Sequence, residues 1–92
     1  MALLLFRDSN FLGGQITRTS DDSTLVNDGF NDVVSSVIVT GGEVWTLFQD
    51  INFQGVSVTV AGNSGPNRNG QYPNANSLGG RNDFFSSVRR DA

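Results

Sequence analysis

The segment Asn31-Asp32-Val33-Val34-Ser35-Ser36 recurs near the other end of the chain as Asn82-Asp83-Phe84-Phe85-Ser86-Ser87. Each copy offers an amide, a carboxylate and two hydroxyls, and nothing softer. Such donors suit hard cations, of which calcium takes about six to eight carboxylate, carbonyl, hydroxyl and water oxygens. Two copies, one per half, point to a duplicated fold that binds hard cations with both halves at once.

Composition narrows the chemistry further. The chain has no cysteine and no histidine. Disulfides, zinc–thiolate sites and thiol nucleophiles are therefore excluded, and the usual general base and transition-metal ligand are missing. Any metal must be held by oxygen, which favours calcium over zinc or copper. The net charge is −3 and every basic residue is an arginine. That acidic balance argues against nucleic acid or an anionic membrane as partner. No apolar run approaches the length of a membrane span. Ala2-Leu3-Leu4-Leu5-Phe6 is too short for a signal sequence and reads as a first, buried strand.

With 92 residues, 37% of them hydrophobic and 11 of them glycine, the chain is one domain with a modest core and many turns. A metal is one staple that could support such a core. A second repeat frames the hexapeptides. Phe6-Arg7-Asp8-Ser9-Asn10-Phe11-Leu12-Gly13 returns 42 positions later as Phe48-Gln49-Asp50-Ile51-Asn52-Phe53-Gln54-Gly55. The hexapeptides are 51 positions apart, so the second half carries nine extra residues between its motifs. These fall in Ala61 to Arg81, whose Gly, Asn, Ser and Pro content reads as a long surface loop.

Strand patterns surround the motifs. Val56-Ser57-Val58-Thr59-Val60 alternates strictly, and Gln15-Ile16-Thr17-Arg18-Thr19 more weakly. Val37-Ile38-Val39-Thr40 and Val44-Trp45-Thr46-Leu47-Phe48 flank Gly41-Gly42, a hairpin signal. No stretch shows a helical period. The expectation is all-β: two four-stranded sheets packed face to face as a sandwich. The glycine two residues past each second aromatic points to a folded hairpin needing one backbone position at positive φ.

With both elements in place, the chain resembles the βγ-crystallin superfamily, in its microbial calcium-binding form. That family pairs a (Tyr/Phe/Trp)-x4-(Tyr/Phe)-x-Gly hairpin with a later (Asn/Asp)-(Asn/Asp)-x-x-(Ser/Thr)-Ser clamp in each of two Greek keys. Phe6–Gly13 and Phe48–Gly55 match the first pattern, and Asn31–Ser36 and Asn82–Ser87 the second. The resemblance implies a double Greek-key sandwich over residues 1–92, with key 1 near 2–41 and key 2 near 42–92.

It further implies two Ca2+ ions at one end, each shared between the keys. One ion would draw on Asp32 and Ser86, the other on Asp83 and Ser35. Backbone carbonyls would come from Asn31, Asn82, Arg7 and Gln49. Ser36 and Ser87 would hydrogen-bond the folded hairpins instead of touching metal. Arg81, beside the second clamp where the first half has Phe30, would weaken that site by partly neutralising Asp83. One carboxylate per ion is a low charge count, which places affinity at about 10⁻⁶ to 10⁻⁴ M.

Other motifs fail on their own chemistry. Asn27-Asp28-Gly29 does not open an EF-hand loop, because Ser35 falls where a bidentate Glu is required. The glycine pairs near residues 62–65 and 79–80 lack the lysine of a phosphate-binding loop. Asp21 with Asp22, and Asp8 with Asp50, read as solvated turn acids instead of a catalytic pair. Trp45 reads as core packing, and Arg89-Arg90 as solvated surface. The functional expectation is a non-enzymatic, monomeric calcium-binding domain. A carbohydrate- or protein-recognition module with purely structural calcium is the alternative, and a protease inhibitor or toxin on the same fold has only the long loop behind it. The ends at Met1 and Ala92 allow a free-standing protein or a module of a larger, secreted one.

Overall fold

The structure, a computed structural model, describes residues 2–21, 34–78 and 85–91. Asn31, Asp32, Asn82 and Asp83 of the two clamps, together with Phe30 and Arg81, lie outside the described residues. The strands are β1 (Leu3–Asp8), β2 (Leu12–Arg18), β3 (Ser36–Val39), β4 (Val44–Asp50), β5 (Gln54–Ala61), β6 (Gln71–Tyr72) and β7 (Ser87–Arg90). Short 3-10 turns occupy Ser9–Phe11 and Ala75–Leu78. All strand pairs are antiparallel, in a four-stranded sheet of order β2-β1-β3-β6 and a three-stranded sheet of order β5-β4-β7. This is the expected Greek-key β-sandwich, with four and three strands among the described residues.

The repeat in the sequence is a repeat in register. Leu5 pairs with Ile16 as Leu47 pairs with Val58, and Phe6 faces Ser36 as Phe48 faces Ser87. Inward positions of both sheets meet in one core that includes Leu3, Leu5, Val37, Trp45, Leu47 and Val88. Val34 and Phe85, the fourth residues of the two clamps, are fully buried in it. Burying a side chain of that kind contributes about 1.5–3 kcal/mol. Each clamp is thereby pinned to the core by its own apolar residue.

Two local expectations are corrected. Gly41-Gly42 is not a hairpin turn, because β3 and β4 belong to different sheets. β3 is already flanked by β1 and β6, and β4 by β5 and β7, so neither has an edge left for the other. The glycine pair instead carries the chain between sheets. There it meets Gly62, where any side chain would overlap the Gly41 carbonyl.

Residues 61–81 are also more than a surface loop. Within them β6 extends the first half's sheet, and Tyr72 and Leu78 are buried. Val39 N–H donates to the Gly70 carbonyl at 2.8 Å, and Asn10 N–H to the Pro73 carbonyl at 2.7 Å. A turn-rich composition conceals two anchoring apolar residues too far apart to show a period. Tyr72 then ties the sheets together, its hydroxyl accepting the Ala61 N–H at 3.0 Å.

The folded hairpins carry the strain. Asn10 and Phe11 have φ of 60° and 62°, and Asn52 and Phe53 both have 60°. Left-handed backbone costs a non-glycine residue roughly 1–2 kcal/mol. A serine offsets this in each half. Ser36 Oγ accepts the Phe11 N–H at 3.0 Å and donates to the Asp8 carbonyl at 2.6 Å. Ser87 Oγ accepts the Phe53 N–H at 3.1 Å and donates to the Asp50 carbonyl at 2.6 Å. The expected role of the second clamp serines is therefore what the structure shows. The aromatics close each fold edge to face, Phe6 on Phe11 at 5.6 Å and Phe48 on Phe53 at 5.8 Å. Gly13, at φ 78°, and Gly55, at φ 81°, leave room for the returning carboxylates of Asp8 and Asp50.

Charged side chains brace the second sheet. Glu43, only 4% exposed, accepts the Trp45 indole N–H at 2.9 Å and pairs with Arg90 at 3.3 Å. Buried charge of this kind is tolerated only with such partners. Arg89 lies over the Phe48 ring at 5.0 Å and bonds Asp91 at 2.8 Å, and Asp91 also accepts the Thr46 hydroxyl. The two arginines are thus engaged, not simply solvated. Partial burial pushes the Asp91 carboxyl up, but the Thr46 hydroxyl and Arg89 outweigh it and hold it below its ordinary value of 3.8.

Two outcomes follow. Ser36→Ala and Ser87→Ala should each lower unfolding free energy by about 1–3 kcal/mol, since each strands a hairpin donor and acceptor; chemical denaturation of the two variants measures this. The Asp91 contribution is present in full above pH 3.8 and is lost as pH falls through the lower folded value. Thermal melts of wild type and Asp91→Asn should therefore differ at neutral pH and converge in acid.

Candidate functional site

Four of the eight residues expected around the ions are described: Arg7, Ser35, Gln49 and Ser86. They fall into two equivalent pairs. Ser35 N–H donates to the Phe6 carbonyl at 2.9 Å, which sets Ser35 beside the Phe6–Arg7 peptide. Ser86 N–H donates to the Phe48 carbonyl at 2.8 Å, which sets Ser86 beside the Phe48–Gln49 peptide. Both serines are 5% exposed. The backbone thus brings each first clamp serine to the residue that follows its own hairpin's first aromatic.

The strand ladders explain why these backbone positions are special. The β1–β2 register shifts between Phe6 and Asp8, and the β4–β5 register between Phe48 and Asp50. Arg7 and Gln49 are the residues at those two irregularities. On the other side, the β1–β3 and β4–β7 pairings end at Phe6 and Phe48. Strand irregularities of this type re-aim backbone and side-chain groups and are frequent beside functional sites. Here they fall on the two hairpin residues whose carbonyls the family resemblance names.

The two halves differ in charge at this position. The Arg7 side chain lies along the first hairpin, its Nε 2.8 Å from where a Cβ on Gly14 would stand. Gln49, the neutral counterpart, lies against Gly55. The oxygen groups around these positions are hydroxyls, backbone carbonyls and the Asp8 and Asp50 carboxylates, with no histidine or cysteine anywhere in the chain to compete. That donor chemistry fits a hard cation. Among the described residues no group of three or more His, Cys, Asp or Glu gathers into a cluster, and the two clamp aspartates lie outside them.

Sequence reasoning missed the engagement of Glu43 with Trp45 and Arg90. A lone Glu just ahead of a tryptophan strand carries no pattern. The burial of Trp45, fully inside the core, agrees with its reading as packing and withdraws it as an exposed stacking platform.

Comparison with known proteins places this arrangement. A family model described as Beta/Gamma crystallin matches residues 2–90. A Beta/gamma-crystallin of Ciona intestinalis is 39% identical over 88 residues, covering 96% of this chain and 95% of that protein. The solved structure of a beta gamma crystallin from Ciona intestinalis superposes with a TM-score of 0.86 at 37% identity, covering 99% of this chain and 100% of the other. A betagamma-crystallin from an archaeon superposes with a TM-score of 0.82 at 27% identity, over 98% and 96% of the two chains. The paired hairpins, the serine bridges and the near-complete matches lead to one assignment: the chain belongs to the Beta/Gamma crystallin family.

Proposed function

We propose that this chain is a non-enzymatic calcium-binding domain in which two Ca2+ ions, each shared between the halves, stabilise the fold. The observation that carries the reading is the duplicated placement of Ser35 and Ser86. Each is a nearly buried hydroxyl set by its own N–H against a strand irregularity, at Arg7 and at Gln49. Each is also part of an Asn-Asp-x-x-Ser-Ser segment that carries a single carboxylate. In this reading Asp32 and Ser86 serve one ion and Asp83 and Ser35 the other, with carbonyls from Asn31, Asn82, Arg7 and Gln49.

Because the donors come from both halves, an ion cross-links parts of the chain that are apart in the unfolded state. Calcium then acts as a ligand of the native state alone. The absence of histidine, cysteine and lysine supports the non-enzymatic part of the reading. The recognition-module alternative loses one of its two motives with the burial of Trp45, and the loop that supplied the other is partly built into the core.

Calcium at about a hundred times its dissociation constant should add about 2.7 kcal/mol per site. For a domain of this length one such site shifts the melting temperature by roughly 10–20 °C. Melts in calcium against chelator test this, and coincident curves would sink the proposal. Titration calorimetry should give two ions per wild-type chain. Ser35→Arg and Ser86→Arg should each abolish much of the stabilisation and leave one ion bound. Ser35→Ala and Ser86→Ala remove the hydroxyl without adding bulk and should weaken the same sites.

A further inference from the structure

The internal repeat supplies a comparison between two edge strands that should be equivalent and are not. β2 and β5 each end a sheet, and among the described residues each pairs on one side only, with β1 and β4 respectively. Register makes Thr17 the counterpart of Thr59, since Leu4 faces Thr17 as Thr46 faces Thr59. On β2 the Thr17 carbonyl accepts Arg18 Nη1 at 2.7 Å, so an arginine caps that edge. On β5 the residue in the Arg18 position is Val60, which is fully buried and caps nothing.

The direction of the β5 backbone groups follows from its end. Gly62 N–H donates inward, to the Glu43 carbonyl at 2.9 Å. Ala61 N–H donates the other way, to the Tyr72 hydroxyl. Main-chain groups alternate along a strand, so Ser57 and Thr59 face outward like Ala61. Tyr72 occupies the outward groups of Ala61, and those of Ser57 and Thr59 line the remaining edge. β5 contains no charged residue and no proline, the usual means of guarding an edge. Val56, on the inward-facing parity, is 43% exposed.

We propose that β5 pairs antiparallel with β5 of a second copy of this chain, Ser57 of one opposite Thr59 of the other. This register suits the strand against itself. Ser57 and Thr59 exchange main-chain hydrogen bonds in both directions about a twofold axis. Val58 then meets Val58, and the exposed Val56 lies opposite Val60 in the ladder, while hydroxyl faces hydroxyl on the outer surface. Shifting the register to engage Gly55 is disfavoured, because its φ of 81° is not extended. Shifting it the other way meets the Tyr72 cap. An uncharged strand brings no like charges together in an isologous contact, which is self-complementary by symmetry. One strand pair is a small interface, so the dimer is weak and in exchange with the monomer. The pairing does not rest on calcium and uses the pole-to-pole edge of the second sheet.

Sedimentation equilibrium of the whole chain from micromolar to millimolar concentration tests the proposal. The wild-type mass should rise from that of one chain toward twice that value. Ser57→Pro removes an outward N–H that β4 does not use, and Ser57→Lys adds a charge on the exposed edge. Both should stay at the mass of one chain with melting curves close to wild type. Mixed isotope-labelled and unlabelled wild-type chains should show contacts between Val58 of one copy and Val58 of the other. A wild-type mass that never rises overturns the inference. So does dimerisation of Ser57→Lys to the wild-type extent, or intermolecular contacts that join β5 to β2.

Discussion

A single hydroxyl bridge, used twice, holds the geometry on which the rest of this domain depends. Each folded hairpin forces an aromatic residue into the left-handed region, with its N–H turned away from any strand partner. The serine that opens β3 or β7 accepts that N–H and returns its own proton to the aspartate carbonyl at the hairpin's start. Two orphaned backbone groups are satisfied by one side chain. The same bond ties the hairpin to the last serine of the clamp from across the sheet. Hence the preceding serine, at 35 or 86, arrives beside the strand irregularity at Arg7 or Gln49.

The duplicated halves are not two independent sheets. β6, from the second half, completes the first half's sheet, and Tyr72 reaches back to Ala61 at the end of β5. This exchange spreads one modest core over both halves. It also makes the two halves chemically unequal. Arg18 caps one edge where Val60 faces inward at the other, and Arg7 stands where Gln49 does. The two halves share a frame and differ in surface at these single positions.

Much of the domain was legible before folding was considered. Apolar alternation in Val56–Val60 marks a strand because side chains in a strand point to opposite faces. The aromatic, aspartate, asparagine, aromatic, glycine spacing marks the hairpins because few residue sets tolerate that backbone. The family resemblance implies a hairpin-bridging role for the second serine of each clamp, and Ser36 and Ser87 do bridge the hairpins. The Gly41-Gly42 step misled, because two glycines between strands look alike whether the chain turns back or crosses over. The strand β6 and the buried Leu78 were hidden for a related reason. Two isolated apolar residues in a turn-rich stretch produce no period.

The sequence by itself determined the donor chemistry, the duplication and the strand content, since these are properties of residue type and spacing along the chain. Tertiary structure alone decided which strands share a sheet and that Glu43 would be buried against Trp45 and Arg90. Those outcomes depend on which neighbours arrive from far along the chain to compete for the same hydrogen bonds. Local pattern fixes what a segment can form. Competition for edges, settled only when both sheets are assembled, fixes what it pairs with.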